Sequence, residues 1–287
     1  MNQEKKRLNR IGLILLAQAV MLSLATIIFA TILDNDTWIG ILSTFIALLI
    51  PCFFMGFKNL KTYLTATHQT ISLATILLLL SIIYATNNIV STLWDIVLNY
   101  FNLTGSINQN YNASVNIFMI SHSVIIGPFF EEVLYRGIVL NLLTKYGKWF
   151  GIITSGILFG LMHQDISQLL TTSLIGIILG FVAHHYSFRA ALILHICNNF
   201  IVEIFTQLST ANELYGTYFE NTLLILAILF ILYYLFTNKK IRSNHISPHF
   251  NILRADSIDF NQNIKLLLTS WPFILLVVYD IVLTTIN

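Results

Sequence analysis

The chain has 287 residues and a formal net charge of +2; 56% of its residues are hydrophobic, only 10% are charged, and the mean hydropathy is +0.76. That balance excludes an ordinary water-soluble domain, in which about 25% of residues are charged, and the near-neutral charge offers no nucleic-acid surface. The two cysteines, Cys52 and Cys197, both fall in apolar runs, which argues against a disulfide framework and a Cys-based metal site.

A helix needs about 20 apolar residues to cross a hydrocarbon core about 30 Å thick. In chain order such runs fall at about 11–33, 38–57, 71–98, 114–143, 150–164, 167–186, 190–208, 218–237 and 265–286. The sequence therefore predicts an all-α, polytopic transmembrane bundle of about eight or nine helices around an intramembrane polar cavity. The first run is too long for the apolar part of a secretory signal and lacks a small-residue cleavage site, so it reads as an anchoring helix. The fifth run is short, which suggests a tilted helix or a hairpin with the sixth. The stretch 99–112 (NYFNLTGSINQNYN) reads as an external loop, and 238–264 as a long polar cytoplasmic segment. Three sections follow: amino-terminal helices with the external loop at 1–110, a core at 111–210 that carries the unusual polar residues, and carboxyl-terminal helices with the cytoplasmic loop at 211–287.

Basic residues test this layout independently, because cytoplasmic loops beside membrane helices collect Lys and Arg. Lys5, Lys6, Arg7 and Arg10 precede the first run, Lys58 and Lys61 follow the second, Lys145 and Lys148 the fourth, and Arg189 the sixth. Lys239, Lys240, Arg242, Arg254 and Lys265 follow the eighth, so 14 of the 15 basic residues lie on one side. The layout predicts a multi-pass protein of the cell membrane with a cytoplasmic amino terminus and, for an odd number of spans, an external carboxyl terminus.

The fifteenth basic residue is Arg136, which shares the fourth run with Glu131 and Glu132 in IIGPFFEEVLYRGIVLNLL. Charge inside a bilayer is costly and normally faces a protein interior or a water-filled cavity, so this cluster is the candidate machinery. Gly127 and Pro128 disfavour helix ahead of it and suit a first helical turn, which predicts that a helix starts or restarts near Pro128. At about 100° per residue, Arg136 lies about 40° around the helix from Glu132 but about 140° from Glu131. Arg136 is thus the partner of Glu132, in the favourable acid-first order, and Glu132 is assigned to structure. Glu131 is left without a salt bridge from its own helix and is free to act as a general base for water. Tyr135, one turn later, is placed to hydrogen-bond Glu131. The alternative for the trio is a neutralised network that only holds helices together.

His163 closes GILFGLMH, with Phe159 one turn earlier on the same face. A lone His at a helix end is more often interfacial than catalytic. His195 and Asn199, in ALILHICNNF, share a face four residues apart, so both side chains can address one place, as donors to a developing oxyanion must. Hydrogen bonding between helices explains the same pair equally well. Glu203 continues that stripe in a packing role, Asn198 points elsewhere, and Asp165 is expected to cap the next helix. His68, His122, His184, His185, His245 and His249 are assigned no chemistry, and no Gly-rich phosphate loop, H-E-x-x-H or G-x-S-x-G pattern is present. Depth poses one difficulty: Glu131 lies 14 residues before Lys145, about 21 Å of helix, whereas His195 lies 6 residues after Arg189, about 9 Å.

Taken in order, E-E-x-x-x-R (Glu131, Glu132, Arg136), F-x-x-x-H (Phe159, His163) and H-x-x-x-N (His195, Asn199) resemble the signature of the CAAX-protease and bacteriocin-processing family of intramembrane endopeptidases, over about residues 120–205. Pro128 and Gly137 agree with that family's habit, and Tyr135 stands where Phe is frequent. The resemblance implies an intramembrane endopeptidase in which Glu131 activates water with help from His163, while His195 and Asn199 form the oxyanion hole. Glu132 and Arg136 would support the site, with Tyr135 and Phe159 beside them. It also implies a peptide or protein substrate, such as a membrane-associated signal or bacteriocin leader peptide, with the lipid bilayer as surroundings and no nucleic acid. No cofactor is expected; were zinc used, Glu131, His163 and His195 would be its ligands. The rival classes are a non-catalytic protein of bacteriocin self-immunity and a transporter that relays protons through the acidic pair.

Overall fold

The computed structural model describes residues 2–101, 117–237 and 260–286, and every element in them is helical apart from an isolated bridge between Thr67 and Ser187. The helices are α1 (Asn2–Ala30), α2 (Asp36–Met55), α3 (Phe57–Thr65), α4 (Leu73–Tyr100), α5 (Ile117–Tyr146), α6 (Lys148–Leu161), α7 (Ile166–His185), α8 (Phe188–Ala211), α9 (Glu213–Thr237), α10 (Phe260–Leu268) and α11 (Trp271–Ile286). Among the described residues seven helices are long and apolar enough to cross a bilayer, and α10 with α11, bent by 68°, makes an eighth. The protein is an all-α, multi-pass membrane bundle. Most of the expected external loop and of the polar 238–264 segment lies outside the described residues.

Short polar side chains start the helices by accepting an orphan backbone N–H. Asn35 takes that of Trp38, Ser72 that of Thr75, Asp165 that of Ser167 and Ser187 that of Ala190. The cap expected of Asp165 is therefore present. Burial pushes the Asp165 carboxyl up, but hydrogen bonds from Ser167 and Gln168 outweigh it and hold the group below the usual carboxylate range.

Two expectations are refined. The run at 150–164 does not cross by itself: α6 has 14 residues, about 21 Å of helix, against the roughly 30 Å of a hydrocarbon core. At Pro128 the α-helix restarts rather than starts: the proline lies in the first turn of the Gly127–Glu132 stretch, which follows a π turn. α5 runs through it because His122–Ile126 adopts a π turn, in which the Gly127 N–H bonds the His122 carbonyl, and the wider turn absorbs the proline. A second π turn spans Val133–Val139, and its loosened carbonyls at Arg136 and Gly137 accept the Asn141 side chain at 2.7 and 3.1 Å. The acidic pair thus sits between two π turns in mid-helix, not at a helix amino end.

Helix α1 packs on α2 and α11, α4 on α7 and α9, and α8 on α7 and α9. One apolar core joins α1, α2, α5 and α11 through Leu15, Leu48, Leu134 and Leu276, and a second joins α4, α7 and α8 through Ile83, Leu179 and Leu194. Helix α6 lies tightly against α7 because glycines line the contact. A Cβ on Gly156 would stand 2.6 Å from the Ile177 nitrogen, and one on Gly176 would stand 2.9 Å from the Gly156 carbonyl. Only glycine admits that approach, and α6 in this position sets Phe159 against Tyr135 and Arg136 of α5.

Candidate active site

Glu132 is fully buried and tied down. Its Oε1 receives the Arg136 guanidinium at 2.9 Å, the expected pair, and the His195 Nδ1 at 2.9 Å, which the spacing of residues 63 apart does not announce. Arg136 extends the network: its other terminal nitrogen donates to the Gly176 carbonyl at 3.2 Å, and its guanidinium lies 4.4 Å over the Phe159 ring. One buried ion pair thereby joins α5 to α6, α7 and α8. A buried charge persists only when paired and hydrogen-bonded, and here a single oxygen of Glu132 carries both the ion pair and the His195 bond, while Glu132 Oε2 and the Arg136 Nε and Nη1 have no hydrogen-bond partner among the described residues.

Glu131 differs. Its side chain keeps 24% of its exposure, and its Oε2 faces the His195 Nε2 at 3.6 Å, too far for a hydrogen bond. His195 thus stands between the two acids, with Nδ1 given to Glu132 and Nε2 turned towards Glu131. A carboxylate that takes one ring nitrogen fixes the orientation of the imidazole and leaves the other nitrogen for chemistry. Glu131 opens on a cavity of about 160 Å³ between α1, α2, α5, α6 and α11. Besides Glu131, its polar lining comes from Gln18, Thr44, His122, Tyr135, Gln164 and Asp280, and residues such as Leu15, Leu48 and Phe130 supply the larger apolar wall. Tyr135 lines this cavity without a hydrogen bond to Glu131 among the described residues; its ring meets Phe159 edge-on at 5.4 Å.

Phe159 is the hub of the aromatic shell, with the rings of His163 and His195 edge-on to it at 5.0 and 5.7 Å. His163 bonds the Phe159 carbonyl through Nδ1 at 2.9 Å, so the expected same-face pair is in contact. Among the described residues no ion pair joins His163 to Glu131. Just past it, Gln164 adopts a left-handed backbone at φ 51°, which turns the chain sharply towards Asp165. Asn199 is half-buried and donates to the Ser123 carbonyl, in the first π turn of α5, at 3.1 Å. His195 and Asn199 therefore both reach α5 from one face of α8, at two neighbouring places. Asn198 is the more buried of the two amides, and its carbonyl oxygen has no partner among the described residues.

Three residues of the cavity went unread in the sequence. His122 is nine residues before Glu131, about 180° away on a regular helix, and the π turn brings both to one cavity. Asp280 is the single acid of α11, and a lone ionisable group in an apolar run is a signal by itself. Gln164 carried no signal, since its place depends on the turn after α6. Among the described residues no set of three His, Cys, Asp or Glu side chains is gathered to hold a metal ion, and the trio Glu131, His163 and His195 does not fit a closed ligand set.

Residues 113–201 match the family model of the type II CAAX prenyl endopeptidases, Rce1-like. No curated protein and no solved structure matches the chain. The matched segment contains all seven motif residues from Glu131 to Asn199, and it lies in a multi-pass membrane protein, which supports an intramembrane protease-type function.

Proposed function

From an Rce1-like domain at residues 113–201, we propose that the protein is an intramembrane endopeptidase that hydrolyses a peptide bond with a glutamate-activated water and no metal. The observation that carries this reading is the asymmetry of the acidic pair: Glu132 is spent on Arg136 and His195, whereas Glu131 opens on a cavity that His122, Gln164 and Asp280 also line. Glu131 takes a proton from a water in the cavity as its oxygen attacks the peptide carbonyl. A C–O bond forms, and the oxyanion accepts hydrogen bonds from the Nε2–H of a doubly protonated His195, whose Nδ1–H stays on Glu132, and from the Asn199 amide, which leaves the Ser123 carbonyl for it. The proton then passes to the leaving amine as the C–N bond breaks. His163 assists Glu131 from the end of α6, and Glu132 keeps His195 oriented. The substrate is a peptide or protein at the membrane, such as a signal or leader peptide. The protein lies in the cell membrane with its amino terminus in the cytoplasm, where its basic residues collect.

The test is comparative peptidomics of membranes that express the wild type or Glu131→Gln at equal levels. Peptides that end at a common cleavage site and vanish with Glu131→Gln support the proposal; identical peptide sets from both refute it. Chelators should leave cleavage unchanged, and loss of cleavage that zinc restores would return the metal reading. Should Glu131→Gln and His163→Ala cells resist a peptide toxin as well as the wild type does, the protein acts by binding alone.

A further inference from the structure

A second and larger cavity, about 450 Å³, lies at the end of the bundle where α1 begins and α5 stops, away from the acidic pair. Arg7 and Arg10, three residues apart on α1, meet Lys145 from α5 in its wall. All three are exposed, and among the described residues none has an ion-pair partner. Two cations at i and i+3 share a helix face and repel each other, so a third beside them makes a standing positive field. The one acid of the lining is Glu4, which leaves the cavity with an excess of two positive charges.

The floor is apolar: Ile11 is buried, while Phe54 and Leu142 face the space from α2 and α5. The walls are stitched together rather than loosely apposed. The Tyr146 hydroxyl donates to the Glu4 carbonyl at 3.1 Å, and the buried Asn263 on α10 donates to the Tyr146 carbonyl. A free anion has no use for an aromatic and two aliphatic side chains under the cations. A molecule with a phosphate group and an acyl chain uses both parts. Basic pockets between membrane helices suit anionic headgroups, each Lys or Arg at the surface contributing about 1 kcal/mol.

We propose that this cavity binds an anionic phospholipid, with the phosphodiester between Arg7, Arg10 and Lys145 and the acyl chain running down Phe54 and Leu142. The site is separate from the acidic pair, so it stands whether or not the protein is a peptidase. The experiment is native mass spectrometry of the full chain titrated with phosphatidylglycerol, phosphatidylcholine or inorganic phosphate. Wild type should retain phosphatidylglycerol in preference to phosphatidylcholine, and inorganic phosphate should neither bind nor compete. The double variant Arg7→Gln, Arg10→Gln should bind phosphatidylglycerol about thirtyfold more weakly, from two lost cations. Both residues are exposed, so the variant should fold normally. Glu4→Gln should tighten the binding. Equal retention of both lipids, unchanged binding by the double variant, or displacement by inorganic phosphate would overturn the proposal.

Discussion

Glu131 and Glu132 are neighbours in the chain and opposites in their surroundings. Glu132 has no exposure and carries an ion pair with Arg136 and a hydrogen bond from His195 on one oxygen, while Glu131 keeps 24% exposure, no hydrogen bond of its own among the described residues, and a cavity in front of it. The difference teaches that a pair of like acids in a membrane protein is best read by what each has already given away. An acid that has paid its charge to an arginine and a histidine builds the site, and the acid left over is the one free to move a proton.

That division is open to attack from both sides. The largest effect is expected of Glu131→Gln, which should lower cleavage about 10²–10⁴-fold, the usual worth of a general base, while yield and melting temperature match the wild type. Arg136→Ala should do the reverse in kind. It strands the buried Glu132 and should cost about 3–5 kcal/mol, seen as a lower melting temperature and poor yield in detergent. If Arg136→Ala melts like the wild type, or Glu131→Gln melts far below it, the assignment of the two acids is wrong.

Gly156→Ala sharpens the comparison from a distance. Its Cβ would press on the Ile177 backbone, so α6 must move off α7 and take Phe159 with it, at a cost of about 1–3 kcal/mol. Both stability and cleavage should fall, whereas a change in stability alone would detach Phe159 from the site. Asp165→Ala should give the smallest effect, about 1 kcal/mol from a lost cap. Because the folded Asp165 carboxyl is held below its ordinary value of 3.8, the cap is intact at neutral pH and fades only as pH falls below that value. A variant whose melting temperature differs from the wild type at pH 7 but converges with it in strong acid would confirm the sign.

What the sequence revealed is what helix spacing controls. Glu132 with Arg136, and Phe159 with His163, are each four residues apart and meet as the spacing requires. Charge distribution and apolar run length gave the multi-pass bundle. What stayed hidden depends on departures from regular helix or on distant contacts. Pro128 reads as a helix start or restart and the α-helix does restart there, but the π turn ahead of it, which keeps α5 continuous and brings His122 to the cavity of Glu131, left no trace in the spacing. The bond from His195 to Glu132 crosses 63 residues and has no local trace. The depth difficulty has the same root: counting residues from flanking cations assumes parallel, regular helices, and α5 is not regular. Asp280 was legible, as the lone acid of the last run, and was not read.

The shortness of α6 has a consequence for supply. With Lys148 at one interface, its 14 residues end about 9 Å short of the far side of a 30 Å hydrocarbon layer. In the turn that follows, the Met162, His163 and Gln164 amides stay bonded to the Leu158, Gly160 and Leu161 carbonyls, but the polar side chains of His163, Gln164 and Asp165 come to lie at that depth, which a bilayer core tolerates only against protein or water. Hydrolysis in a membrane consumes a reactant that the surrounding oil excludes. On the proposed function, the end of a helix that stops early, at His163 and Gln164, is where that reactant would enter.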